Sequence, residues 1–315
     1  MKWSYSAGRT FQACQRQWYY KNIFGIGQAK KDPERRRMYL LGKQDSIAAW
    51  RGRIVDELIT DKVVTPFNEG DDIPDLKTMI GYAEERFQQQ LAFARSNIEV
   101  TPELDVKAAG QAFALIREVA SLSTDDIEHA WLEIKQALRT FYRSDEAKAI
   151  IKSADYLVSQ KALQFQLLDG VTVVGFPDLI AFRDEHPPTI VDWKVHAQGT
   201  HDAWIQLAIY AICLERCKPH FDWERYFDDV ERSRENVRLV EVQLLTDVVR
   251  EHALDAEHFE RAEEFMQTSA YEMACLIDGR KSTDLALEEF DVARFPEACD
   301  SCSYKSHCWE VRNAA

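Results

Sequence analysis

The chain has 315 residues and a mass of 36.4 kDa, with 46% hydrophobic and 29% charged residues. This composition excludes wholesale disorder, and the scarcity of glycine (12) and proline (9) excludes collagen-like and low-complexity architectures. No apolar run is long enough for a transmembrane helix, and the opening MKWSYSAGRTFQAC lacks the apolar stretch of a signal peptide, so no membrane partner and a cytoplasmic location are expected.

The net charge of −14 speaks against a nucleic-acid partner until its distribution is considered. Residues 1–53 carry twelve Lys or Arg, including Arg9, Arg16 and Arg51, against only Asp32, Glu34 and Asp45. A basic segment on an acidic body is compatible with local phosphate binding, although a solvated charged helix would look the same.

From about 34 to 153 the apolar spacing is helical, with helices expected near 34–60, 75–97, 103–121 and 125–143; Ser123 with Asp126 reads as a capping box opening the last. The pattern then changes. Strands are expected over 156–168 and 171–182, joined by an Asp169-Gly170 hairpin turn. After a loop from Asp184 to Pro188 comes a short buried strand, 189–195, then an amphipathic helix, 201–217, a fourth strand, 237–245, and a helix, 246–268. Three strands, a helix and a returning strand imply an α/β fold with a mixed central sheet flanked by helices.

Two acids stand inside strands that are otherwise apolar: Asp178 in VTVVGFPDLIAF and Asp192 in TIVDWKV. Uncompensated charge there is costly, and adjacent hairpin strands would bring the carboxylates together, where they must share a proton or a cation. A hard cation, Mg²⁺ or Mn²⁺, resolves the conflict. Lys194 lies two residues beyond Asp192 on the same strand face, where an ammonium can orient an attacking water or offset phosphate charge. A structural Asp–Lys ion pair fits these residues equally well. Gln206 and Tyr210 share a face of the next helix, so Gln206 can reach the site with Tyr210 behind it.

Seven cysteines without a secretion signal favour reduced thiols and metal ligation. Cys299, Cys302 and Cys308 form C-x2-C-x5-C, with Cys14 as the candidate fourth ligand. Four thiolates suit zinc or a [4Fe-4S] cluster, and His307 is an alternative zinc ligand. A centre joining positions 285 residues apart would stabilise the fold by roughly 5–6 kcal/mol if the disulfide rule transfers. Cys213 and Cys217, four apart on a helix, read as buried free thiols.

Taken together, WSYSAGRTFQACQRQWYYKNIFG, VVGFPDLIAF, TIVDWK, QLAIY and the terminal cysteine group resemble the RecB-type nucleases of the PD-(D/E)XK superfamily. The likeness is to the iron–sulfur members, which include the AddB nuclease domain and CRISPR-associated RecB-like exonucleases. It runs from residue 4 to 308 in family order. It implies a restriction-endonuclease-like core that hydrolyses DNA with a divalent metal, often from an end of a single strand, in repair, CRISPR or phage defence. Asp178 and Asp192 would then be metal ligands with the Trp193 carbonyl, Lys194 the catalytic lysine and Gln206 its support, while Cys14, Cys299, Cys302 and Cys308 would hold [4Fe-4S]. Two departures stand out. The family's metal-binding histidine is replaced by Asp56, after Gly52, and Gln160 stands where relatives often carry a glutamate.

The resemblance divides the chain into a basic N-terminal segment with the first core helix (1–60), a helical insertion (61–145), a nuclease core (146–270) and a C-terminal cysteine segment that packs on the N-terminus (271–315). Arg9, Arg16, Arg51 and Tyr210 are expected at the DNA, and Trp18 or Tyr19 either stacks on a base or packs in the core. No G-x4-G-K-[ST] loop occurs, so any helicase would be a separate subunit of a larger complex. The competing reading is a catalytically decayed DNA-end or partner-binding subunit, in which Asp56 marks the loss of the site.

Overall fold

The chain crosses twice between two β-sheets, and the candidate site lies where it crosses. The structure is a computed structural model, and residues 1–195, 203–228 and 233–314 are described. In one sheet β1 (Lys2–Trp3) pairs with β6 (Val171–Gly175), which pairs with β5 (Leu163–Leu168). The other sheet runs β10 (Val248–Glu251), β9 (Arg238–Gln243), β8 (His186–Lys194), β7 (Leu179–Arg183), β4 (Tyr156–Val158). β8 and β9 are parallel and the remaining neighbours in this sheet antiparallel, so it is the mixed sheet expected from the sequence. Short strands β2 (Gln44–Asp45) and β3 (Leu115–Ile116) pair separately.

Side-chain alternation along β7, β8 and β9 feeds two cores. Ile180, Phe182, Ile190 and Leu239 meet helix Ala203–Arg216 on one face. Leu179, Ala181, Val191, Trp193, Val240 and Val242 meet helices Ile47–Ile59, Leu76–Ser96 and Thr124–Arg143 on the other. The helices between 61 and 145 therefore share a core with the sheet. Helix Thr124–Arg143 opens on the expected Ser123–Asp126 capping box. Gly175, at the end of β6, permits close approach to helix Ala203–Arg216: a Cβ there would lie 3.1 Å from Cys213 Sγ and 3.2 Å from Tyr210 Cδ1.

Several expected elements are corrected. The strand expected over 156–168 is two strands in different sheets, broken at Gln160, whose φ of 54° is left-handed. The strand expected over 171–182 likewise splits into β6 and β7. Proline supplies no ladder donor, and Pro177-Asp178 lies in the gap rather than inside a strand. The helix expected over 34–60 is interrupted by Gly42 and β2. The helix expected over 103–121 shrinks to Val106–Ala109 and a 3₁₀ turn, because Gly110 adopts a left-handed φ of 55° and the chain then enters β3. The loop expected from Asp184 to Pro188 tightens, since β8 already begins at His186. The helix expected from 246 begins only at Ala256, where Asp255 caps it. Before that the chain turns at Asp247 (φ 54°), and Val248 and Val249 favour the antiparallel strand β10. Of the helix expected over 201–217, the described part is Ala203–Arg216; residues 201 and 202 lie outside the described residues.

Trp50 locks the helical core. It is fully buried, stacks on Phe87 with centroids 4.8 Å apart, and donates its indole N–H to Gln90 Oε1 at 2.7 Å. Trp50→Ala opens a large cavity and leaves the Gln90 acceptor unpaired, so a loss of about 3–5 kcal/mol is expected in denaturant-induced unfolding.

Candidate active site

Asp178 and Asp192 meet because β7 and β8 form a hairpin. The register pairs Leu179 with Val191, so Asp178, one residue before β7 begins, falls opposite the end of β8. Its carboxylate takes the place of a ladder acceptor: Trp193 N–H donates to Asp178 Oδ2 at 2.9 Å. Asp192 and Lys194 both face helix Ala203–Arg216, as the two-residue period requires. Lys194 Nζ lies 2.6 Å from Asp192 Oδ2 and donates to Gln206 Oε1 at 3.2 Å. Gln206 Nε2 in turn donates to the Tyr210 hydroxyl at 2.7 Å. Tyr210 is buried, so it stands behind Gln206 rather than on the surface. The Trp193 ring points the other way, edge-on to Phe141 in the helical core.

Helix Ile47–Ile59 brings the third carboxylate. A Cβ on Gly52 would lie 3.9 Å from Val195, which places this helix face against the end of β8, with Asp56 one turn further on. Asp56 Oδ2 accepts from Gln160 Nε2 at 2.7 Å, while its Oδ1 is buried without a hydrogen-bond partner among the described residues. The same Gln160 nitrogen lies 3.4 Å from Asp178 Oδ1. Burial, then the charges of Asp192 and Asp56, holds the Asp178 carboxyl well above the usual range. Burial likewise pushes Asp56 up to about 6. Lys194 behaves oppositely: burial pulls its ammonium down, but Asp192 beside it prevails and holds the pKa above its ordinary value. Asp56, Asp178 and Asp192 thus make a carboxylate cluster with the Lys194 ammonium at its edge.

A model of the PD-(D/E)XK nuclease superfamily matches residues 2–309. The chain belongs to the PD-(D/E)XK nuclease superfamily. Comparison with curated proteins finds no match. Superfamily members are nucleases that typically use divalent metals such as Mg²⁺. Among the described residues of this PD-(D/E)XK protein, no three His, Cys, Asp or Glu side chains are already arranged as a ligand set. The donor chemistry nevertheless suits a hard cation: oxygen ligands, excess negative charge and an unpartnered oxygen on Asp56.

One further buried acid belongs to the same neighbourhood. Glu241 of β9 pairs in register with Asp192 and is 1% exposed. Gln243 donates to it, and Arg250 Nη1 and His252 Nε2 of the β9–β10 hairpin lie 3.3 and 3.0 Å from its oxygens. Its signal was available in the sequence, since Glu241 interrupts the apolar VRLVEVQLL as Asp192 interrupts its strand.

The four cysteines of this superfamily member also converge. Cys14, Cys299, Cys302 and Cys308 line one cavity of about 350 Å³ together with Arg16, Tyr20 and Trp309. The N-terminal segment is tied to the chain's end there: Arg16 Nε donates to Phe290 O at 3.0 Å, Asp291 N to Gln15 Oε1 at 3.0 Å, and Tyr304 stacks on Tyr20. Burial, helped by the neighbouring Cys14, Cys299 and Cys308, pushes the Cys302 thiol up to about 11. Thiols of this kind ionise together only around a cation. His307 does not line the cavity; its Nε2 lies 3.2 Å from Glu34 Oε1. Cys213 and Cys217 are buried, as expected, and Cys217 Sγ donates to the Leu214 carbonyl.

The basic segment is largely engaged internally. Arg51 pairs with Glu133, Arg53 with Asp45 and Glu57, Arg35 with the Phe24 carbonyl, and Arg36 with the Leu104 carbonyl. Arg9 is exposed and lies over the Tyr5 ring. Trp18 and Tyr19 are buried against Phe290, which favours their core role over base stacking.

The raised Asp56 pKa sets a direction for stability. The folded state holds this proton more tightly than the unfolded chain, so the stabilisation is full below the ordinary value of 3.8 and is lost as pH rises through about 6. Asp56→Asn should therefore stabilise the chelator-treated protein by on the order of 1–2 kcal/mol at pH 8 and leave it unchanged near pH 3.5, as read by melting in EDTA.

Proposed function

We propose that this PD-(D/E)XK nuclease is a Mg²⁺- or Mn²⁺-dependent deoxyribonuclease of RecB type that degrades single-stranded DNA or DNA ends, an exonuclease in repair, CRISPR or phage defence. The observation that carries this reading is the placement of Asp178, Asp192 and Lys194 around the end of β8, with Lys194 held between Asp192 and Gln206. Asp178, Asp192, the Trp193 carbonyl and Asp56 would hold the cation. When bound, it supplies a Lewis acid that neutralises charge on the scissile phosphate. The ammonium of Lys194 orients the attacking water or stabilises charge building on the phosphate. Gln206 fixes that ammonium from the helix side, and the buried Tyr210 fixes Gln206. Asp56 adds a negative charge where the family's histidine would be neutral, which strengthens the preference for a hard cation.

In this reading the core is 146–270, the helices of 61–145 form an insertion that shapes the approach of DNA, and 1–60 joins 271–315 at the cysteine cavity. The cavity would hold a structural [4Fe-4S] cluster, or Zn²⁺ in its place, as a staple remote from the chemistry. Arg9 and Arg16 are the segment's candidates for phosphate contacts. Arg51, ion-paired with Glu133, would have to exchange that partner for DNA.

Digestion of end-labelled DNA with Mn²⁺ tests the site. Lys194→Ala and Asp178→Asn should each lower the rate by about 10²–10⁴-fold while DNA binding persists. Equal digestion by the Lys194 variant and wild type would mean that the activity is a contaminant's or that the site lies elsewhere. Comparing open with end-blocked substrates separates exonuclease from endonuclease action.

Cys302→Ala should reduce soluble yield and melting temperature far more than it changes the specific activity of the protein that survives. Iron and sulfide analysis of anaerobically purified protein distinguishes the cluster from zinc. A fully stable, metal-free and active Cys302 variant would remove the staple.

A further inference from the structure

We propose that Gln160 is an amide latch: its carboxamide NH₂ substitutes for the cation in the ion-free protein, holding Asp56 and Asp178 together, and must swing away when a divalent ion enters. This rests on the reading of those two carboxylates as cation ligands. The single nitrogen lies 2.7 Å from Asp56 Oδ2 and 3.4 Å from Asp178 Oδ1. Both partners are acceptors when ionised, so the donor end of the amide must face them. An amide contributes only a fraction of a positive charge, however, and the second Asp56 oxygen remains buried without a partner. The latch therefore relieves the repulsion between the carboxylates only in part, and a doubly charged ion outcompetes it.

The backbone serves this placement. Gln160 occupies the left-handed region, φ 54°, at the crossing from β4 to β5, and its N–H donates to Pro177 O at 3.2 Å across to the crossing from β6 to β7. The preceding Ser159 is 2.5 Å from Thr60 Oγ1, in the helical stretch that carries Asp56. The base of the side chain is therefore fixed to both elements that supply the carboxylates. The residue itself is exposed, so the carboxamide can leave toward solvent without disturbing the core.

A latch that stabilises only the ion-free state has a thermodynamic signature. In Gln160→Ala the melting temperature in EDTA should fall by roughly 2–4 °C, while that of the Mn²⁺-saturated protein stays at the wild-type value. By the same cycle, Mn²⁺ measured by titration calorimetry should bind about three- to tenfold more tightly, the range expected for losing a competing hydrogen bond to a charged group. Gln160→Glu keeps the length but removes the donors, and should move both readouts further in the same directions. Weaker Mn²⁺ binding by Gln160→Ala would make the amide oxygen a ligand and overturn the latch. So would unchanged affinity and melting alongside wild-type Mn²⁺ binding that Asp178→Asn abolishes, a result that leaves the metal site standing. No Mn²⁺ binding by either wild type or Gln160→Ala would overturn both.

Discussion

Three carboxylates drawn from separate parts of the chain repel one another at the end of a buried strand, and much of the surrounding structure accommodates that repulsion. Asp178 and Asp192 are brought together by the β7–β8 hairpin, and Asp56 by the first long helix. Left alone, such a cluster would take up protons, as the raised Asp178 and Asp56 carboxyls show. The neighbours counter it with what they have: an ammonium on Asp192, a backbone N–H on Asp178, and one amide spanning Asp178 and Asp56. A protein selected for stability alone would do better with apolar residues there. Such an arrangement suits chemistry rather than stability, and superfamily membership says which kind.

The two-sheet architecture makes the arrangement possible. Had residues 156–168 and 171–182 continued as unbroken strands, Asp178 would sit within a ladder and its backbone would be occupied by neighbours on both sides. The chain instead leaves one sheet and enters the other at Pro177 and again at Gln160. Both crossings open onto the end of β8, so side chains from the gaps reach the site. Helix Ala203–Arg216 closes the other flank, and its approach to β6 depends on Gly175 carrying no Cβ.

A second assembly, at the far ends of the sequence, has a different character. The cysteine cavity lies between residues near 14 and near 300 and is bordered by aromatic stacking and carbonyl contacts that join the two termini. Burial raises the Cys14 and Cys302 thiols, and Arg16, Arg294 and Lys305 are the cations among the described residues that line the cavity. It ties the two ends of the chain together, whereas the carboxylate cluster ties the sheet to the first long helix.

The sequence by itself determined the α/β class, the superfamily, Asp178 and Asp192 as acids set against apolar strands, the Asp192–Lys194 face and the Gln206–Tyr210 helix face. Each of these is local: a period, a spacing or a charge within an apolar run, written in a few consecutive residues. The same local rule reaches Glu241, an acid inside the apolar VRLVEVQLL. Only the tertiary structure decided that the Gln160 amide spans Asp56 and Asp178, that Arg51 is committed to Glu133, and that Trp18 and Tyr19 are core. Those facts depend on residues dozens to hundreds of positions apart, and on which donor reaches which acceptor once the sheets have separated. No periodicity encodes that, because it is the folded geometry, and not the composition of any segment, that selects a side chain's partner.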